Sequence, residues 1–276
     1  MTLFDFIQAK HFCRPLPVHI AGTGQSLPGL YGTASNHKIR EGTPEFNTHR
    51  VSVLNNIERW ILYGTSQYRR ALDMFIPSNA AWAQVTLYYA SFYAANAILG
   101  MFGVWIHRKH WADVESGVPS HQIINIHNRS KGPPSPCAGS HQKFWDLYYE
   151  GCASFASWVP TELIEAITPI NNNRLWQTAA RNEVNYDMAF AFDASLLLNA
   201  TGNPRRLDQY GGALGQQREV TEKTLKLAVY FAAEFGVSSF PFEGLHSGSR
   251  PRALRALVTK TPPGLVTQSI LQDLLQ

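Results

Sequence analysis

The feature that most restricts this chain is the run from Met74 to Ile106, which holds no Asp, Glu, Lys or Arg. A stretch like this has to leave water, either inside a bilayer or inside a protein core. A membrane-spanning helix needs about 20 predominantly apolar residues. This run also carries Pro77, Ser78, Asn79, Gln84, Thr86, Ser91 and Asn96, with Tyr88, Tyr89 and Tyr93 in its middle. Amides are costly in lipid, and interfacial aromatics belong at the ends of a span. The run therefore predicts a helix over 79–102 buried on several sides by other helices. Val85, Tyr88, Tyr89, Phe92, Leu99 and Phe102 share one face, and the alanines between them let neighbours approach closely. Ser78 or Asn79 suits the N-cap and Gly103 the position after the C-cap.

The partners for such a helix lie on both sides of it. Val53, Ile57, Trp60, Ile61, Tyr68, Leu72 and Phe75 recur at helical spacing, from about Thr48 to a stop before Pro77. Gly64 weakens the middle of that helix by about 1 kcal/mol relative to Ala. A third helix is expected over 142–158, with Phe144, Leu147, Tyr148, Cys152 and Phe155 inward, then a short one over 161–167. A fourth covers 173–199 and a fifth 217–235, the latter facing inward through Val220, Leu227, Ala228, Phe231 and Phe235. The pairs Glu219–Lys223 and Glu222–Lys226 have the i,i+4 order that favours a helix. Strand-like alternation is nearly absent. The expected class is all-α, a bundle of four to five long helices. Hydrophobic residues at 45% and charged residues at only 16% give it ample core.

Three segments follow from the distribution of Gly and Pro. Residues 1–46 read as an irregular arm, 47–236 as the bundle, and 237–276 as a tail with short helices. The bundle contains an insertion, 106–142, with four prolines and five histidines: His107, His110, His121, His127 and His141. Loops of this length in a compact domain usually carry function. His107 and His110 form an H-x-x-H with only Asp113 and Glu115 near in sequence. Zinc needs three or four ligands, so a solvated loop is preferred over a metal site, and no cofactor is expected.

Cys13, Cys137 and Cys152 are far apart and form no C-x-x-C pair. With no basic, apolar leader at the N-terminus, this suggests a reducing, cytoplasmic setting and no membrane. The formal charge of +4 permits a nucleic-acid partner without requiring one.

The densest chemistry lies in Arg181-Asn182-Glu183-Val184-Asn185-Tyr186-Asp187. A guanidinium, two amides and a phenol crowd an otherwise apolar helix, where burying them costs several kcal/mol unless they are paired. Two readings stand: a satisfied network that sets helix register, or a site for a phosphate or a base.

Arg181-Asn182, with Tyr186 five residues after the arginine, resembles a motif of the HEPN superfamily. Tyr88-Tyr89-Ala90-Ser91-Phe92-Tyr93-Ala94-Ala95 resembles that superfamily's Y-Y-A-x-F-H-A-A helix. The resemblance covers about 50–200. It is nearer to a small branch with Arg followed by Tyr than to the Arg–His ribonucleases. It implies a helical bundle, a homodimer in which two Arg181 helices face each other, RNA binding or RNA processing, and a prokaryotic defence or toxin–antitoxin setting. Under it, Arg181 holds a phosphate, Asn182 and Asn185 orient it, and Tyr186 stands where ribonuclease members carry His. Tyrosine titrates near 10 and imidazole near 6.5, so Tyr186 is a poor general base. His141 is the histidine expected to replace it, and Arg108 and Lys109 are further candidate phosphate contacts. The alternative is a non-catalytic binding or scaffold subunit that docks a protein partner through the terminal helix, whose stripe is Val266, Ile270 and Leu274.

Overall fold

The computed structural model describes residues 3–14, 37–74, 79–106, 110–115, 121–128, 139–186 and 213–237. Over these residues the protein is mainly helical. Its helices are α1 (Phe6–Cys13), α2 (Pro44–Asp73), α3 (Ala80–Met101), α4 (Ser140–Ala153), α5 (Trp176–Tyr186) and α6 (Ala213–Glu234). Three 3-10 turns lie between α4 and α5, at Ala156–Trp158, Thr161–Ala166 and Ile170–Asn172.

The uncharged helix α3 sits at the centre, against α2, α5 and α6. Gly64 of α2 meets Ala90 and Ala94, while Gly100 of α3 meets Ile57 and Trp60, so the two helices run antiparallel. The cost that Gly64 imposes on its helix has a structural reason. A Cβ there would lie 3.0 Å from Leu225 of α6 and 3.1 Å from the Ala90 carbonyl, so three helices close on this one point. At the far end of α3, rings fill the core: Phe102 stacks on Phe155 at 4.0 Å, and Phe231 and Phe235 close over Phe102 edge-on. On α6 the expected inward residues are all buried, and both expected ion pairs form, at 2.9 Å and 3.2 Å.

The all-α expectation needs a correction. A four-stranded antiparallel sheet of order β1-β4-β3-β2 is built from His37–Arg40 (β1), Trp105–Ile106 (β2), His110–Glu115 (β3) and Ile123–Asn128 (β4). The insertion 106–142 is therefore not one long loop, and the arm 1–46 contains both a helix and an edge strand. Ile39, Ala112, Val114, Ile124 and Ile126 turn inward and are buried. The outer face carries Trp111 stacked on His127 at 4.1 Å and a Lys38–Glu115 ion pair at 2.8 Å. The inward set is short and partly small, and Ile123 lies on the outer face, so the period of two is weak in the sequence.

Other boundaries move for local reasons. Helix α2 begins at Pro44, because Thr43 caps it by accepting from the Phe46 N–H and proline suits the first helical position. The helix expected over 142–158 stops at Ala153, and 161–167 forms a 3-10 turn. Helix α5 starts at Trp176 after Asn171 and Asn172, whose φ values of 53° and 56° are left-handed. The part of the expected fourth helix beyond 186, and the tail beyond 237, lie outside the described residues. No helix among the described residues is long and apolar enough to cross a membrane.

Helix α1 closes the open end of the core. Asp5 caps it through the Gln8 N–H at 2.7 Å, and the Phe4 N–H donates to the Phe102 carbonyl at 2.9 Å. The buried Arg50 donates to the Phe12 and Arg14 carbonyls, supplying donors that the end of α1 lacks. His49 is fully buried beside Trp105, and burial drives its imidazole from 6.5 down to about 3.

Two predictions test this end of the molecule. Gly103 has φ of 87°, and a Cβ there would meet the Phe4 ring at 2.6 Å and Val114 at 2.8 Å. Gly103→Ala should cost about 2–4 kcal/mol, as the sum of a left-handed backbone and overpacking, read from the denaturant midpoint at unchanged slope. For His49, the unfolded chain takes a proton below about 6.5, whereas the folded chain takes none until about 3. Stability should therefore fall as pH drops through that window, by up to about 1.4 kcal/mol per pH unit from this group. His49→Gln should flatten the fall; an unchanged acid limb would mean that His49 is not its source.

Candidate functional site

The site begins with how α5 is held. Its apolar residues Trp176, Ala180 and Val184 are buried, and three polar links fix its register. The Trp176 indole N–H donates to the Tyr149 hydroxyl of α4 at 2.8 Å. The Gln84 amide of α3 donates to the Ala180 carbonyl at 3.2 Å. The Gln217 amide of α6 donates to Gln177 Oε1 at 2.7 Å and lies 3.4 Å from Ser91 of α3, whose hydroxyl meets Thr221 at 2.7 Å. All four members of this last group are buried. These links use Trp176, Gln177 and the Ala180 carbonyl, all on the N-terminal side of the Arg181–Asp187 stretch.

That register carries the half-buried Arg181 over two tyrosines of α3. Its guanidinium carbon lies 5.5 Å from the centre of the Tyr88 ring and 5.9 Å from that of Tyr89, within reach of cation–π attraction. Its Nη1 donates to Asn182 Oδ1 at 3.3 Å. Its Nε is buried and makes no hydrogen bond among the described residues. A half-buried guanidinium with unused donors is a group whose chemistry suits a phosphate or a carboxylate.

Tyr88 connects the arginine to a histidine. The Tyr88 hydroxyl lies 2.7 Å from His141 Nδ1, and it accepts from the Trp145 indole N–H at 3.2 Å. Tyr88 therefore joins an indole that only donates to an imidazole nitrogen that donates or accepts according to its tautomer. Burial raises the Tyr88 phenol to about 12, and the Trp145 N–H, the Arg181 charge and Thr178 offset this only in part. The phenol therefore stays protonated at neutral pH and works as a donor. His141 stands in the first turn of α4, where the Gln142 side chain accepts from the Gly139 N–H at 3.2 Å, and its ring packs 5.0 Å from Phe92.

Of the residues singled out in the sequence, Arg181 and His141 meet at Tyr88, and Asn182 accepts from Arg181. Asn185 is exposed one turn beyond Arg181. Tyr186 is the last described residue of α5, and its side chain, like all of Arg108 and Lys109, lies outside the described residues. Asp113 holds His127 at 3.0 Å and Glu115 holds Lys38, so both carboxylates near the H-x-x-H are engaged elsewhere. His107 and the His110 side chain lie outside the described residues. No group of three His, Cys, Asp or Glu side chains among the described residues could hold a metal ion. Cys13 and Cys152 are buried with thiols pushed up by burial, so neither is a nucleophile at neutral pH.

Sequence reasoning missed Tyr88, Tyr89 and Trp145 as parts of the site. Their signal was the Tyr88-Tyr89 pair inside a helix without charge, where a buried hydroxyl demands partners. No family model, no curated protein and no solved structure matches the chain.

Tyr88→Phe tests the hub. It leaves the buried Trp145 N–H without its acceptor and should cost about 1–3 kcal/mol. It should also change the His141 titration followed by NMR. A variant as stable as the parent, with His141 unmoved, would show that the hydroxyl links nothing.

Proposed function

We propose that this is a HEPN-like RNA-binding or RNA-processing protein whose working groups are Arg181 and His141, joined by Tyr88. One observation carries the reading: a histidine from the insertion and the motif arginine contact the same buried tyrosine. In this reading His141 takes the role of the missing motif histidine, and Tyr186 is not required as a base. In this reading Arg181 grips a phosphate of the RNA backbone, with Asn182 and Asn185 orienting it. His141 takes the proton of a 2′-hydroxyl as its oxygen attacks the adjacent phosphorus. The bond to the 5′ oxygen breaks, leaving a 2′,3′-cyclic phosphate and a 5′-hydroxyl, and the imidazolium returns its proton to the departing oxygen. Arg181 offsets the charge that builds on the phosphate oxygens. The same reading includes a homodimer with two Arg181 side chains in one cleft, in a cytoplasmic defence or toxin–antitoxin setting.

A second reading has its own support. The buried set Gln177, Gln217, Ser91 and Thr221 ties α5 into the core, and Arg181 already rests on two rings. In this version the polar turn is architectural, and the chain is a scaffold that docks a protein through its terminal helix.

RNA cleavage by the purified protein, with and without EDTA, separates the two. The catalytic reading expects EDTA-resistant cleavage that falls about a hundredfold or more in Arg181→Ala and in His141→Ala. Cleavage equal in parent and variants rules it out. RNA binding without cleavage, lost in Arg181→Ala, leaves the binding function alone.

A further inference from the structure

One face of helix α3 is only partly covered by the described residues, and it carries rings. Trp82 on α3 is 64% exposed and Tyr63 on α2 is 56% exposed. Tyr89 and Tyr93 stand at i+7 and i+11 from Trp82, the spacing of one helical face, and both are half-buried. The rings form a continuous line. Tyr63 lies 5.8 Å from Tyr93, Tyr93 is 6.1 Å from Phe92, and Phe92 is 5.0 Å from His141. His141 is 6.5 Å from Tyr89, on which Arg181 rests. The line thus runs from the candidate site outward to Tyr63.

Charge frames the same surface. Arg59 and Arg70 stand at i−4 and i+7 from Tyr63, on its face of α2, and both are exposed. Neither forms an ion pair with a described residue, whereas the neighbouring Arg69 pairs with Asp73. Helix α3 itself has no charged side chain. Flat rings bordered by arginines offer two things together: π faces that accept any base, and cations for the connecting phosphates.

We propose that the face formed by Trp82, Tyr89, Tyr93 and Tyr63 stacks unpaired bases of a single-stranded RNA, with its phosphates passing Arg181 at one end and Arg59 and Arg70 at the other. This rests on the RNA reading of the Arg181 site and extends it from one phosphate to a strand of several nucleotides. Double-stranded RNA hides its base faces and gains nothing from the rings.

The test is fluorescence anisotropy with a short labelled 2′-O-methyl oligonucleotide, which cannot be cleaved through its 2′ oxygen. Three probes are compared: the single strand, an abasic strand of the same length, and the duplex. The proteins are the parent, Arg181→Ala, Tyr63→Ala with Tyr93→Ala, and Tyr63→Phe with Tyr93→Phe, each checked for an unchanged thermal midpoint. The alanine pair should bind the single strand about tenfold or more weaklier than the parent does, with abasic-strand affinity held within about twofold, because stacking is lost and phosphate contact is not. The phenylalanine pair should bind like the parent. Should the alanine pair fail to fold, Tyr63→Ala alone, at an exposed position, carries the same comparison. Equal binding of single and abasic strands by the parent, with the alanine pair unchanged and Arg181→Ala defective, overturns the stacking face and leaves the Arg181 reading intact. Parent protein that binds none of the probes overturns both. Tyrosine variants that change the sedimentation coefficient but not RNA affinity make the face a contact between copies, and overturn the proposal.

Discussion

An uncharged helix must be covered, and α3 is the element around which this molecule is arranged. With no charged residue along Ala80–Met101, it is stable in water only when other elements surround most of it. Helix α2 takes one side through Gly64 and Gly100, α6 crosses at Leu225, and α5 takes the side of Gln84 and Tyr88. Its C-terminal end, closed by the left-handed Gly103, is sealed by α1 and the sheet. Each neighbour is positioned by the need to cover this helix.

The polar groups on α3 set the register of those neighbours. Ser91, Gln84 and Tyr88 are buried, and each would lose hydrogen bonds to water unless a partner met it at one defined position. Thr221, the Ala180 carbonyl and His141 are those partners. Sliding α5 by one turn would break the Gln84 and Gln177 links together and carry Arg181 off the tyrosine rings. The placement of Arg181 is therefore a product of core packing, and so is the link between Arg181 and His141.

Much of the helical frame could be read from residue spacing. The faces of α2, α3 and α6 repeat at helical period over many residues, and long amphipathic runs are the most legible pattern in a sequence. The sheet was not legible. Its strands are short, β1 and β4 pair across most of 37–128, and Ile123 on the outer face blurs the alternation. Pro44 was read as part of an irregular arm, although proline at the first helical position starts a helix. Arg181, Asn182 and His141 could be chosen by chemistry, but Tyr88 could not be assigned as their link. That role depends on where α4 and α5 lie in space, which no local spacing encodes. Tyr186, Arg108 and Lys109 were chosen by the same chemistry and lie outside the described residues in whole or in side chain.

The proposed function holds that Arg181 and His141 act as one unit on RNA through Tyr88. The most direct measurement is a double-mutant cycle on RNA cleavage, using Arg181→Ala, His141→Ala and the pair together. Groups that act as a unit are strongly non-additive, so the double variant should lose about as much kcat/KM as either single variant. Losses that multiply, with each substitution acting on its own, would contradict the account.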